Sequence, residues 1–275
     1  MLECVVNVSE GLDPQVIRLL SSAAGADLLD CHVDPHHHRS VLTLVGTDSP
    51  RRVATAAVDH IDLGRHRGAH PRLGAIDVVP FVALDGSTPA DAALAADEFA
   101  RWMSDEHGVP CFRYHARSPS LPEVRRNAFH GRGPDTGPGS PHSTAGACAV
   151  GDRGVLVAFN AWLTSPDPAS ARRAAARVRA ETTERFGHQV VRTLGMSVGG
   201  RAQLSMNLIK PEVFGPADAA DAAERAAPVA RYELVGLVPA TVLTAVPPHR
   251  WSRLDLGWSC TIEARLAARS RRGAT

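Results

Sequence analysis

The sequence predicts an α/β (α+β) protein of two subdomains, each a mixed β-sheet covered by helices. Three observations predict it. The chain has 275 residues, which suits one large or two small domains at roughly 100–200 residues each. Strand and helix signals alternate along it, and the alternation runs twice, separated near residue 164. The expected subdomains are 1–163 and 164–275. A composition of 44% hydrophobic and 21% charged residues supports a packed core and argues against global disorder.

The elements follow in order. Residues 2–8 are a short apolar run with β-branched side chains and read as a strand. Residues 13–24 follow with helical spacing at Val16, Ile17, Leu19 and Leu20. Residues 26–31 and 39–46 read as strands and 49–62 as a helix with Val53, Ala56, Ala57 and His60 on one stripe. Residues 77–84 are a buried strand interrupted by Pro80, which removes one ladder donor. A long helix at 88–107 starts with Thr88 as N-cap and Pro89 at the first helical position, and 111–115 is a strand. Residues 118–143 hold five prolines and four glycines, a density at which no regular element is expected. A loop that long is functional or disordered. Beyond it, 154–163 reads as a strand and 167–186 as a helix capped by Asp167 and Pro168. Residues 190–196 and 202–209 form a hairpin around Gly199-Gly200. Residues 216–227 are a helix, 232–237 a strand, 240–245 a short helix, and 260–266 a final strand or helix.

Composition excludes several functions. Thirty Lys+Arg balance 29 Asp+Glu, a net charge of +1, so no basic field recruits nucleic acid or anionic lipid. No stretch of about 18 apolar residues exists to span a membrane. The opening MLECVVNVSEGLD lacks a basic n-region and reads as a mature first strand. Five scattered cysteines without a CxxC pair point to reduced thiols in a cytoplasm. Lys210 is the only lysine; arginines supply the other cations, with planar forks suited to carboxylates.

Three constellations hold candidate chemistry. The densest is His66-Arg67-Gly68-Ala69-His70-Pro71-Arg72-Leu73-Gly74, placed between a helix and a buried strand, where reactive side chains are commonly presented. His70 suits proton transfer near neutral pH and Arg72 suits bidentate pairing with a carboxylate; the alternative is a turn whose charges face water. The second is Asp34-Pro35-His36-His37-His38-Arg39. In an extended segment His36 and His38 share a face, so a catalytic metal with Asp34 or His32 as third ligand competes with a ligand-facing polar turn. No HExxH or CxxC supports the metal. The third is Gly137-Pro138-Gly139-Ser140-Pro141-His142-Ser143-Thr144-Ala145-Gly146-Ala147-Cys148, whose small residues and hydroxyls let a flat ligand approach backbone amides. The chain lacks the GxxxxGK(S/T) of a Walker loop, the glycines of 195–200 miss the GxGxxG order, and Ser9, Ser143 and Ser205 lack a GxSxG elbow.

Taken together, these segments resemble the glutamate formimidoyltransferase (formiminotransferase) family. The similar strings are ECVVNVSEG at 3–11, DPHHHRSVLTLVG at 34–46, HRGAHPRLGAIDVVPF at 66–81, PDTGPGSPHSTAGACAVG at 134–151, LVAFNAWL at 156–163, QLSMNL at 203–208 and ELVGLVP at 233–239. They occur in family order up to TIEARL at 261–266.

The resemblance implies two α/β subdomains with the active site in the crevice between them. It implies transfer of a formimidoyl group from N-formimidoyl-L-glutamate to tetrahydrofolate, in histidine degradation, by a cytoplasmic homodimer without the cyclodeaminase part. The family's catalytic histidine precedes the Pro-Arg of its string, which is His70 here. Its folate-contacting loop corresponds to Gly137, Pro138, Gly139, Ser140, His142, Ser143, Thr144, Ala145 and Gly146. Arg39, Arg72 and His38 are the candidates for holding the substrates, and no metal is expected. The chain departs from the family at Ala69, where members commonly have glutamate, at His38, where asparagine is frequent, and at Cys148, where threonine is. Two rivals remain: a metal-dependent hydrolase or lyase built on Asp34, His36 and His38, and a non-catalytic folate-binding relative.

Overall fold

The computed structural model describes residues 1–67, 72–115 and 118–272. The chain divides into two compact units at Gly154/Val155. The first contains β1 (Leu2–Val8), α1 (Pro14–Ala24), β2 (Leu28–Asp34), β3 (Arg39–Val45), α2 (Asp48–His60), β4 (Ile76–Ala83), α3 (Pro89–His107), β5 (Cys111–Tyr114), α4 (Leu121–Asn127) and β6 (Cys148–Asp152). Its strands lie in the order β2-β3-β1-β4-β6-β5. The first four are antiparallel, and β6 runs parallel to both β4 and β5.

The helix starts follow from short polar side chains followed by proline. Asp13 accepts hydrogen bonds from the amides of Gln15 and Val16. Thr88 and Asp91 cap α3 reciprocally, with Pro89 in the first turn, where a missing N–H costs no helical bond. One face of the sheet packs Val6, Leu42, Leu44, Phe81, Phe99 and Met103 into a core with these helices; each such side chain contributes about 1.5–3 kcal/mol. The other face buries Val78, Phe112, Tyr114 and Ala149 beneath Val124 and Ala128.

Two differences from the sequence reading lie here. Residues 121–127 form α4 inside the breaker-dense stretch, where none was expected. Pro122 falls in the first turn, and Ser120 donates from its amide and hydroxyl to Glu123 Oε2 at 2.7 Å each. Residues 148–152, left unassigned in the sequence, form β6, the parallel link between β4 and β5. Pro80, by contrast, sits within β4 without ending it. The ladder to β1 runs through Cys4↔Phe81 and resumes at Asn7↔Val78, leaving Pro80 in the gap.

The second unit contains β7 (Val157–Leu163), α5 (Pro168–Phe186), β8 (Val191–Val198), β9 (Arg201–Leu208), α6 (Pro216–Ala226), β10 (Val229–Val235), α7 (Ala240–Thr244) and α8 (Ile262–Arg272). Its sheet, β10-β7-β9-β8, is antiparallel throughout. Gly199 and Gly200 close the β8–β9 hairpin with φ of 55° and 74°, the sign a two-residue turn of this hand requires. Because β7 bonds to β9 and β10, residues 157–163 group with the second unit, where the sequence suggested a division at 163/164.

The two units repeat one plan. In each, a β–α–β–β–α–β run builds a sheet in which the first strand lies between the third and the fourth, and the second pairs with the third. The first unit adds β6 and β5 beyond β4. No helix among the described residues is long and apolar enough to cross a membrane.

Candidate functional site

The histidine-rich segment is a turn, not an extended stretch. Pro35–His38 connects β2 to β3, and Asp34 Oδ1 accepts from the amides of His36 and His37 at 2.9 and 3.0 Å. Asp34 Oδ2 pairs with the His37 ring. Burial opposes the charge on Asp34, but His37 and these amides outweigh it and pull its pKa down to about 2.

His38 adopts φ 51°. Its Nε2 lies 3.0 Å from Glu10 Oε1, and its ring stacks on His66 with centroids 3.9 Å apart. Glu10 sits just before α1, where Oε1 also accepts from the amides of Gly11, Leu12 and Asp13 at 2.8, 2.7 and 2.9 Å. Burial would raise its pKa, yet the three amides and His38 together hold it below the ordinary carboxylate range. His66 Nε2 lies 3.0 Å from the His38 carbonyl. A carbonyl only accepts, so Nε2 carries the proton. Burial above all, with the fields of His38 and Arg72, lowers the His66 pKa despite that bond, which keeps the ring neutral at pH 7. Glu10, Asp13, His38, His60, Asp62, Arg65 and His66 line a cavity of ≈ 180 Å³.

A second group gathers on the same sheet. Asp77 of β4 is fully buried. Its Oδ1 accepts from the Leu73 amide at 2.7 Å, and its Oδ2 pairs with Arg125 of α4. Arg39, at the start of β3, and Arg72 both act on Asp77. Burial drives the Arg39 pKa down to about 10, with Arg125 reinforcing and Asp77 and Asp34 opposing. Arg125, Arg39 and Arg72 thus all act on Asp77, and Arg39 on Asp34 as well.

The proline–glycine loop is anchored at both ends. Thr136 Oγ1 donates to the Ala100 carbonyl at 3.0 Å. His142 and Gly146 exchange backbone bonds at 2.8 and 3.0 Å. The far end is stitched to two other segments: Leu63 N to Thr144 O at 2.9 Å, Ala75 N to Ala145 O at 2.9 Å, and Ala147 N to Leu73 O at 3.0 Å. The approach is so close that a Cβ on Gly74 would lie 2.0 Å from the Ala147 oxygen, and one on Gly146 (φ 70°) 2.4 Å from the Leu73 oxygen. Gly137, Pro138, Gly139, Ser140 and Ser143 are exposed. His142 Nδ1 accepts from the Ala145 amide at 3.0 Å. His70 lies outside the described residues.

The metal reading of Asp34, His36 and His38 does not match this geometry. Asp34 caps its own turn, and His38 turns to Glu10 and His66. Among the described residues, no group of three or more His, Cys, Asp or Glu side chains is arranged to hold a metal ion. Sequence reasoning missed Glu10, Asp77 and Arg125. Glu10 and Asp77 stood inside the quoted strings at 3–11 and 66–81; Arg125 stood in the stretch expected to be irregular.

The fold and this site define an α/β protein with a histidine- and arginine-lined face on its first sheet, and comparison with known proteins places it. Residues 1–153 match the formiminotransferase domain, N-terminal subdomain. The chain is 35% identical to a glutamate formimidoyltransferase of Streptococcus pyogenes serotype M1, over 77% of this chain and 78% of that protein. It is 32% identical to one from Thermoplasma acidophilum, over 90% and 91%. It is also 33% identical to the formimidoyltransferase-cyclodeaminase of Sus scrofa, of which it spans 51%. The chain belongs to the formiminotransferase family. It is accordingly a transferase enzyme.

Proposed function

We propose that this chain transfers a formimidoyl group from N-formimidoyl-L-glutamate to tetrahydrofolate, with His70 as general acid and base. The setting the resemblance implies is histidine degradation, in a cytoplasmic homodimer. The observation that carries the proposal is the stitching of the His142–Gly146 end of the loop to residues 63 and 73–75, which flank the His70 segment. One anchored frame thus supports the loop the family uses for folate and the string that carries its histidine.

The chemistry needs few groups. The N5 nitrogen of tetrahydrofolate attacks the amidine carbon, and a new N–C bond gives a tetrahedral intermediate. His70 takes the N5 proton and delivers it to the glutamate nitrogen as that C–N bond breaks. Formimidoyl-tetrahydrofolate and glutamate leave, and the imidazole returns to its starting state. Such proton transfer contributes roughly 10²–10⁴-fold in rate, and holding both substrates together supplies proximity. Arg39 and Arg72 pair with substrate carboxylates. His38, fixed by Glu10 and His66, presents its turn to the donor, and Gly137, Pro138, Gly139, Ser140, His142, Ser143, Thr144, Ala145 and Gly146 hold the folate.

A substrate panel tests the proposal. Formimidoyl-glutamate, formimidoyl-glycine and formyl-glutamate are each mixed with tetrahydrofolate and enzyme, and the folate product is followed by absorbance. Turnover with formimidoyl-glutamate alone is expected. Turnover with formimidoyl-glycine and none with formimidoyl-glutamate would replace the donor, and silence with all three would reject the reaction.

A further inference from the structure

Strand β1 lies between β3 and β4, and its last residue, Val8, pairs with Ser40 on one side and Ile76 on the other. The segment that leaves it, Ser9-Glu10-Gly11, therefore runs between the turn that opens β3 and the residues that lead into β4. These neighbours carry different candidates for the reaction. His38 and Arg39 lie on the β3 side, and the string that contains His70 leads into β4.

Each residue of the segment grips one neighbour. Ser9, 3% exposed, bonds to the β4 side. Its amide donates to the Ala75 carbonyl at 2.8 Å, and its Oγ donates to the Gly74 carbonyl at 2.8 Å. Glu10 bonds to the β3 side. Its carbonyl accepts from Ser40 Oγ at 2.6 Å, and its Oε1 lies 3.0 Å from His38 Nε2. Gly11 closes on the same turn, where a Cβ would lie 2.6 Å from the Arg39 nitrogen and 2.6 Å from the Asp34 oxygen.

The two side-chain grips have no partner in common. The Ser9 hydroxyl serves the buried carbonyl of Gly74, a residue that also bridges to Gly146 and follows the Leu73 amide that Asp77 holds. Removing the hydroxyl takes a donor from a buried acceptor. The Glu10 carboxylate instead reaches a side chain. A carboxylate only accepts, so His38 Nε2 carries the proton, and the ring is fixed in rotation and in tautomer.

We propose that Ser9 and Glu10 are positioning residues with separate tasks: Ser9 sets the His70 string for the chemical step, and Glu10 sets His38 for holding the donor. The inference rests on the proposed transfer with His70 as its acid and base, and adds the two residues that place the acting groups. A displacement of about 1 Å at a reacting group costs on the order of 10²-fold in rate, whereas a misplaced binding group costs affinity.

Single-turnover kinetics with formimidoyl-glutamate and tetrahydrofolate test it, because they separate the chemical step from donor binding. Ser9→Ala is expected to slow the step at saturating donor roughly 10- to 100-fold and to leave the half-saturating donor concentration unchanged. Glu10→Ala is expected to raise that concentration roughly tenfold and to leave the saturated rate unchanged. On a His38→Ala background, Glu10→Ala is expected to add nothing further, as for a residue that acts through His38. In either variant, both quantities moving together, neither moving, or the reverse split overturns the assignment, as does a Glu10→Ala effect that persists without His38. Wild type without turnover overturns the proposed transfer and this inference with it. Should Ser9→Ala or Glu10→Ala fail to fold, Ser9→Cys, a weaker donor, and Glu10→Asp, a shorter carboxylate, take their places with the same split expected.

Discussion

The His66 ring lies against that of His38, with centroids 3.9 Å apart and planes 14° from parallel, and its Nε2 donates to the His38 carbonyl at 3.0 Å. The stack holds a neutral imidazole against one that faces Glu10 at 3.0 Å. Burial, the main cause, keeps the His66 pKa below its ordinary value. The unfolded chain therefore binds a proton first as pH falls through about 6.5, and the fold loses stability below that point. In His66→Gln, urea-unfolding stability is expected to change less between pH 7 and pH 5 than in wild type. Equal slopes would show that His66 does not titrate there.

Asp34 titrates in the opposite sense. Its folded pKa of about 2 lies below the ordinary aspartate value of about 3.9, so its contribution is present above about pH 4 and fades as pH falls towards 2. At 1.36 kcal/mol per unit the shift corresponds to about 2.5 kcal/mol at most, and solvent screening of this half-exposed group brings the expected cost of Asp34→Asn at pH 7 to about 1–2 kcal/mol. Denaturation at both pH values checks this, since the gap to wild type should close near pH 2.

Arg125→Leu removes the guanidinium paired with buried Asp77 and leaves only the fields of Arg39 and Arg72 to offset its charge. Breaking a buried pair from one side costs about 3–5 kcal/mol, and the double variant Arg125→Leu/Asp77→Leu is expected to recover much of it. On the proposed function, both also raise the KM for formimidoyl-glutamate. A double variant with wild-type KM would remove this cluster from substrate binding.

Gly146→Ala forces a Cβ to within 2.4 Å of the Leu73 carbonyl at φ 70°. A loss of about 1–3 kcal/mol is expected, read as a lower Tm, together with weaker folate binding as the loop separates from residues 63 and 73–75. An unchanged Tm would show that the loop gives way.

Much of the fold was legible because its signals are local. Asp13, Thr88 and Asp167, each followed by proline, mark helix starts that the structure keeps, and Gly199-Gly200 marks its hairpin. α4 was hidden because proline was read as a breaker, although Pro122 in a first turn breaks nothing. β6 was hidden because its residues follow a glycine-rich loop and gain their partners from β4 and β5. The repeated strand order was hidden too, since pairing is long-range. The site divides in the same way. The histidine and arginine clusters stand together in sequence, whereas the Glu10–His38 and Asp77–Arg125 pairs are joined only by folding.

The account stands most directly on the turnover of formimidoyl-glutamate with tetrahydrofolate in wild type and in His70→Ala. It predicts that the variant loses roughly 10²–10⁴-fold in kcat while its Kd for 5-formyltetrahydrofolate stays at the wild-type value. A His70→Ala enzyme that turns over at the wild-type rate would contradict it.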